Sequence, residues 1–207
     1  LKRKLEGIGA VLIEGPKLCG KTTTAEQFSK SILYVANPQE RQQNLKMAEI
    51  DPSVLLKGEV PRLLDEWQIA PMLWDAVRFE VDHRGVPGQF ILTGSALPAE
   101  KDKIFHTGTG RIARLKMRTM ALYESGESNG DISLKQLFEG EKNLSGVNEL
   151  TLEEIAYLVC RGGWSTACLQ EGDIALDRAF DYYDAIVNED ITRADGVNRS
   201  SERVKLL

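Results

Sequence analysis

Eight residues near the amino terminus have the types and spacing of a loop that wraps phosphate groups. Residues 15–22 read Gly-Pro-Lys-Leu-Cys-Gly-Lys-Thr and fit the pattern G-x-x-x-x-G-K-[ST]. The two glycines allow a sharp turn in which consecutive N–H groups face an anion, and the helix expected next adds its positive end. The Lys21 ammonium would reach the outer phosphates of a nucleotide, and the Thr22 hydroxyl would ligate Mg²⁺. The predicted nucleotide contacts are Gly15, Pro16, Lys17, Leu18, Cys19, Gly20, Lys21, Thr22 and Thr23.

A pair of acids follows a second apolar run, in the segment Leu63-Leu64-Asp65-Glu66. Hydrolysis of a nucleotide needs a carboxylate on the Mg²⁺ side and a group that deprotonates the attacking water. Asp65 fits the first role, as a metal ligand through the water shell of the ion, and Glu66 fits the second, as the general base. Two acids at the end of a strand are common, but their position about 40 residues after a phosphate loop favours the catalytic interpretation.

Two classes of nucleotide enzyme are disfavoured by the sequence. A GTPase would need an Asn-Lys-x-Asp motif, which is absent, and small-molecule kinases generally lack a water-activating glutamate such as Glu66. ATP hydrolysis is therefore the prediction. Two alternatives stay open: a regulatory module that binds ATP with negligible turnover and recognises DNA or protein, and a phosphotransferase acting on a small molecule.

Further candidates follow the later apolar runs. Thr93 would lie beside the γ-phosphate if its strand ran between the other two, and Ser95 competes for this role. Arg111 could contribute positive charge to the transition state, in its own subunit or in a neighbour's. Arg114 and Arg118 are rivals to Arg111, although they are more typical of a solvated face, and a nucleic-acid contact by that face is a weaker alternative.

The elements that would hold these residues alternate along the chain. Strand-like runs alternate with helical patterns, which predicts a parallel sheet covered by helices on both faces. Beyond Ala121 the pattern becomes helical, with capping boxes at Ser133 and Thr151. We expect an α/β core over residues 1–125 and a helical segment over 126–207. The expected strands are 10–14, 31–36, 61–66, 89–93 and 111–117.

Composition is that of an ordinary globular protein. The 207 residues are 42% hydrophobic and 28% charged, and no apolar run reaches membrane-spanning length. Three cysteines fit neither a disulfide framework nor a zinc pattern, which favours the cytoplasm as the location. The net charge of −5 argues against nucleic-acid binding by the protein as a whole. Both ends look cut, so we expect a piece of a longer protein.

Three segments together resemble the AAA-type ATPases: residues 15–22, Leu63-Leu-Asp-Glu-Trp-Gln68 and Phe90-Ile-Leu-Thr-Gly-Ser95. Residues 110–118 and 122–126 narrow the resemblance to a bacterial and archaeal family that joins an AAA-type domain to a C-terminal domain of unknown function. The resemblance implies a P-loop fold of the additional-strand, catalytic-glutamate class, with the Thr93 strand between the strands of the phosphate loop and of Asp65. It implies ATP and Mg²⁺ but no agreed substrate. Leu18 stands where many AAA-type loops have glycine.

These inferences combine into one expectation. The chain would bind Mg·ATP at the carboxyl edge of its sheet, with Glu66 activating water while Lys21 and Arg111 stabilise the developing charge. Hydrolysis would move the helical segment, interpreted as a lid plus the start of a C-terminal domain. A homo-oligomer, and a nucleic-acid or protein partner bound through a missing C-terminal region, are open alternatives. No membrane partner is expected.

Overall fold

The computed structural model describes residues 1–94 and 105–190 of the chain. It divides the chain into two compact units, Leu1–Arg118 and Thr119–Leu207. The first unit is an α/β sandwich, and the second is helical.

The first unit is built on a five-stranded parallel sheet in the order β2-β3-β4-β1-β5. Each expected strand forms, with ends within about two residues of the expected ones. Apolar runs without alternation become the three central strands because helices cover both of their faces. The strands are β1 Ala10–Glu14, β2 Ser31–Tyr34, β3 Arg62–Asp65, β4 Phe90–Gly94 and β5 Ile112–Lys116.

Helices cover the two faces of this sheet. On one face the α3 and α4 side chains pack with Leu12, Leu64 and Leu92 of the strands, and on the other α1 and α2 pack with Ile13 and Ile91. Each fully buried aliphatic side chain contributes roughly 1.5–3 kcal/mol. These three layers confirm the predicted P-loop type of α/β architecture. The helices are α1 Lys2–Gly7, α2 Lys21–Glu26, α3 Arg41–Ile50 and α4 Met72–Arg84, with 3-10 turns at Pro52–Leu56 and Trp67–Ile69.

The described part of the second unit, residues 119–190, consists of helices and turns. Both predicted capping boxes are present, Ser133 with Gln136 ahead of α5 and Thr151 with Glu154 ahead of α6. An ion pair joins the end of α6 to the turn-rich segment before α5, since Arg161 Nη1 donates to Glu127 Oε1 at 2.6 Å. The helices are α5 Leu134–Phe138, α6 Leu152–Arg161, α7 Ser165–Cys168 and α8 Gly172–Ala185, with a π turn at Ile186–Asp190.

The sequence also predicts an apolar stripe along α8, made of Leu176, Ala179, Phe180, Tyr183 and Val187, and the structure buries this stripe only in part. Val187 is 4% exposed, but Phe180 is 70% exposed and Tyr183 is also exposed. The packed face also contains Ala175 and Tyr182, whose ring lies 3.9 Å from that of Trp164. The apolar side chains of α8 lie on several sides of the helix. Their periodicity therefore did not identify the side that packs against Trp164.

Within residues 1–94 and 105–190, the helices are all too short or too polar to cross a lipid bilayer.

Candidate functional site

The predicted phosphate loop leaves β1 at its carboxyl end and leads into α2. Leu18 and Gly20 both have left-handed backbone conformations, with φ of 60° and 91°. Left-handed residues within a turn are a feature of backbone concavities that bind anions. The N–H groups of Leu18, Cys19 and Gly20 donate to no group in the described part of the chain. Three consecutive amides are thus available to an anion, as a phosphate loop requires.

The first glycine of the loop is required by a close approach. A Cβ atom at Gly15 would lie 2.3 Å from the carbonyl oxygen of Met117, the residue after β5. The Met117 N–H in turn donates to the Glu14 carbonyl at 2.8 Å, which brings the two chain segments together. Gly15 therefore allows packing of the loop on β5, whereas Gly20 provides the left-handed turn.

The lysine of the loop folds back over it. Lys21 is only 6% exposed, and its Nζ atom donates to the carbonyl of Pro16 at 2.7 Å. A nearly buried ammonium needs an oxygen partner, and phosphate oxygens would be stronger acceptors than a carbonyl. Cys19 is buried, and Thr23 is exposed on the first turn of α2.

Three predicted site residues meet at a single carboxylate oxygen. Asp65 Oδ1 accepts hydrogen bonds from Thr22 Oγ1 at 2.7 Å and from Thr93 Oγ1 at 2.6 Å. Asp65 and Thr93 are register partners at the carboxyl ends of β3 and β4, and Thr93 is 1% exposed. Parallel strands place their ends at one edge of the sheet, which is why residues 28 and 43 positions from Asp65 in sequence meet there.

This oxygen cluster fits a magnesium ion. Carboxylate and hydroxyl oxygens are the ligands that Mg²⁺ prefers, and the ion usually takes only one or two protein ligands besides water and phosphate. Thr22 and Asp65 supply such a pair. The described residues contain no group of three His, Cys, Asp or Glu side chains that would bind a metal without a nucleotide.

The predicted general base follows Asp65 at an unusual backbone position. Glu66 has φ 58° and ψ 43°, the left-handed region that side-chain-bearing residues seldom adopt. This conformation ends β3 and starts the 3-10 turn Trp67–Ile69. Gln68 on that turn donates through Nε2 to Glu66 Oε2. The partnership between Glu66 and Gln68 was not predicted, because it depends on a backbone reversal that residue types do not reveal.

The structure places Arg111 away from these residues. Arg111 precedes β5, and its carbonyl accepts from the N–H of Ala10, the first residue of β1. It therefore lies at the amino edge of the sheet, whereas the phosphate loop lies at the carboxyl edge. Its Nε atom donates to Asp82 Oδ1 at 2.7 Å, which raises the arginine pKa and lowers that of Asp82. This placement does not support a role of Arg111 in its own subunit.

The structure also locates the arginines that were alternatives to Arg111. Arg114 is paired with Glu14 on the neighbouring strand at 2.9 Å, so its partner lies within the sheet. Arg118 is an exposed residue after β5. Ser95, the competitor of Thr93, lies outside the described residues.

Sequence reasoning overlooked one residue at this edge of the sheet. Tyr34 ends β2 and is the register partner of Asp65. Its hydroxyl donates to Glu26 Oε1 at 2.7 Å, and this hydrogen bond to a carboxylate raises the tyrosine pKa. The sequence contains no direct signal for this residue, because it did not show that β2 is the strand beside β3.

Comparison with known proteins identifies relatives of this chain and the family of its first unit. The chain is 28% identical, over 132 residues, to uncharacterized proteins of Mycobacterium bovis and Mycobacterium tuberculosis. The alignment covers 63% of this chain and 30% of each relative, so the chain spans about a third of their length. The sequence model of a family described as AAA domain matches residues 8–125, more than half of the chain and all of the candidate site. This chain therefore belongs to the AAA domain family.

Proposed function

We propose that this protein is an Mg²⁺-dependent ATPase that couples hydrolysis to a conformational change in its helical unit. Membership of the AAA domain family indicates nucleotide binding. The observation that carries the further step is the shared acceptor Asp65 Oδ1, which joins the phosphate loop through Thr22 and the neighbouring strand through Thr93. Hydrolysis needs the metal side and the γ-phosphate side of the site to be adjacent, and the two hydrogen bonds to this oxygen support such an arrangement.

Each side chain has a distinct task in this proposal. The amides of residues 18–20 and the Lys21 ammonium bind the phosphates, and Thr22 and Asp65 hold the metal shell. Mg²⁺, when bound, supplies neutralisation of charge on the β- and γ-phosphate oxygens. Thr93 helps to hold the attacking water, and Glu66 accepts a proton from it as the water oxygen bonds to the γ-phosphorus. The bond from this phosphorus to the bridging oxygen breaks, and ADP leaves with that oxygen.

Two variants test ATP binding and ATP hydrolysis separately. Lys21→Ala removes a charge-assisted hydrogen bond to phosphate, so ATP affinity should fall by about 10- to 100-fold. Glu66→Gln keeps the shape of the side chain but removes its basicity, so turnover should fall by about 100-fold or more while the ATP Kd changes little. The measurements are ATP binding by calorimetry and phosphate release at saturating ATP.

Matched controls use exposed residues of α3. Lys46→Ala and Glu49→Gln make the same chemical changes at exposed positions outside the candidate site and should leave binding and turnover unchanged. Undiminished ATP affinity in Lys21→Ala would refute the loop assignment, and undiminished turnover in Glu66→Gln would refute the general base. ATP binding without any turnover in the wild-type chain would favour the regulatory module instead. Stimulation of ADP production by a small-molecule acceptor would favour a phosphotransferase.

A further inference from the structure

The side chain of Gln68 reaches back to the predicted general base. Glu66 reverses the backbone in its left-handed conformation, and the 3-10 turn that follows closes with a hydrogen bond from Ile69 N to Glu66 O at 3.1 Å. Gln68 lies on this turn, and its Nε2 atom donates to Glu66 Oε2. One oxygen of the Glu66 carboxylate is thereby held, and the other is left for a water molecule.

The other end of the same amide has no partner. Gln68 Oε1 is buried and accepts no hydrogen bond from any described residue. A buried acceptor without a donor destabilises a fold, and an amide that could turn over to improve its bonding would do so. Turning this amide over would place its carbonyl against the Glu66 carboxylate. The contact with Glu66 therefore sets the orientation of Gln68.

Space for this amide exists because β4 ends in glycine. A Cβ atom at Gly94 would lie 2.5 Å from Gln68 Oε1 and 3.3 Å from Trp67 Nε1. Gly94 follows Thr93, whose hydroxyl bonds Asp65. The amide of Gln68 thus lies between the Glu66 carboxylate and the end of the strand that carries Thr93.

We propose that Gln68 is a positioning residue for the general base Glu66, a role that rests on the proposed ATP hydrolysis. Its amide holds one carboxylate oxygen, so that the other oxygen faces the attacking water in one fixed direction. Gln68 itself contacts Glu66 and not the nucleotide. Its loss should therefore lower the rate of the chemical step without changing ATP affinity.

The substitution Gln68→Met distinguishes a positioning role of Gln68 from a purely structural role. Methionine has nearly the shape of glutamine, so Gln68→Met keeps the packing beside Gly94 while it removes both the donor and the unpaired acceptor. We expect kcat to fall by about 10-fold or more, with the ATP Kd unchanged, because a misdirected base loses catalytic efficiency. The melting temperature should stay the same or rise, since the orphaned oxygen is gone. Gln42→Met, at an exposed position of α3, is the matched control and should change none of these values.

A second variant tests the same contact from the opposite side. Gly94→Ala places a methyl group where Gln68 Oε1 lies, so the amide must move and kcat should fall as in Gln68→Met. The double variant Gln68→Met with Gly94→Ala should lose little more than either single variant, since both disturb one contact.

The outcomes separate this inference from the proposed function. Equal kcat in the wild type and Gln68→Met overturns the positioning role alone. A parallel loss of kcat and melting temperature also overturns it, because that pattern indicates a structural residue. A wild-type chain that binds ATP without hydrolysing it contradicts the ATPase proposal and the role of Gln68 with it.

Discussion

Unfavourable backbone conformations concentrate at the candidate site. Among the described residues, Leu18 and Glu66 are the two side-chain-bearing residues with positive φ, and they lie in the phosphate loop and at the general base. Such conformations cost free energy and persist where the surrounding structure holds them. They agree with a site in which precise direction of amides and of one carboxylate matters more than local stability.

The strain at Leu18 leads to a stability prediction. Leu18 is 62% exposed, so its side chain contributes little packing, while its Cβ atom makes the left-handed conformation unfavourable by roughly 1 kcal/mol. Asparagine tolerates this conformation better, so Leu18→Asn should raise the melting temperature of the first unit by a few degrees. Leu18→Ala keeps an ordinary Cβ and is the matched control. Thermal unfolding of the three proteins checks this, and equal melting temperatures for the asparagine and alanine variants would contradict it.

The sequence predicted that Thr22 and Asp65 share a metal site and that Thr93 lies beside them if its strand runs between the other two. The structure brings the three side chains together at Asp65 Oδ1, while their roles stay predictions. The contact of Gln68 with Glu66 and the close approach of Met117 to Gly15 were not predictable. Both depend on backbone geometry at single positions, which residue types do not specify.

Among the secondary-structure elements, local sequence patterns identified the strands but not which strands are adjacent in the sheet. Apolar runs and flanking turn residues indicated β1 to β5, whereas the resemblance to AAA-type ATPases predicted only that β4 lies between β1 and β3, as it does. Along α4 the buried face agrees with the periodicity, since Leu73, Trp74, Val77 and Val81 are all buried. On α8 the agreement is partial, because Val187 is buried whereas Phe180 and Tyr183 are exposed.

The ion pair in the second unit makes its stability depend on pH. The guanidinium of Arg161 donates to Glu127 and holds the pKa of that carboxyl below its usual range. A carboxyl with a lowered folded pKa stabilises the fold above its unfolded pKa of about 4.3, and this stabilisation disappears as the pH falls through the folded value. The stability of this unit should therefore decline below about pH 4.

The variant Glu127→Gln tests this dependence. At pH 7 it should lower the free energy of unfolding by about 2 kcal/mol, since a nearly buried Arg161 loses its counter-charge but keeps an amide acceptor. The difference from wild type should shrink as the pH falls through the lowered pKa of Glu127, because the protonated carboxyl no longer carries the counter-charge. Denaturant unfolding across this range measures it, with the exposed Glu141→Gln as control. A difference that stays constant with pH would contradict the electrostatic origin.

In the protein as a whole, the function of the first unit is better supported than that of the second. The family match covers residues 8–125, which include the site, while the curated relatives are about three times as long as the segment that aligns with this chain. Fold and nucleotide class could therefore be predicted from the first unit. The role of the helical unit as a lid and the start of a C-terminal domain stays a proposal, because no motif in it specifies a partner.

The position of Arg111 raises the question of assembly. It lies at the amino edge of the sheet, where it cannot serve the phosphate loop of its own subunit, and its guanidinium is about half exposed. Its ion pair with Asp82 is exposed, and such pairs contribute little stability and exchange readily. We propose that Arg111, if it is catalytic as the sequence predicts, acts on a neighbouring subunit across a head-to-tail contact of the kind that forms rings.

Mixing two inactive variants tests this proposal. Lys21→Ala lacks a working phosphate loop and Arg111→Ala lacks the arginine, so each alone should hydrolyse ATP slowly. In an equimolar mixture that exchanges subunits, about a quarter of head-to-tail contacts join an intact loop to an intact arginine, and a corresponding share of turnover should return. Asp82→Asn removes the partner of Arg111 but keeps the guanidinium, so turnover should persist in it. Wild-type turnover in Arg111→Ala alone, or no recovery in a mixture proven to contain both chains, would contradict action between subunits.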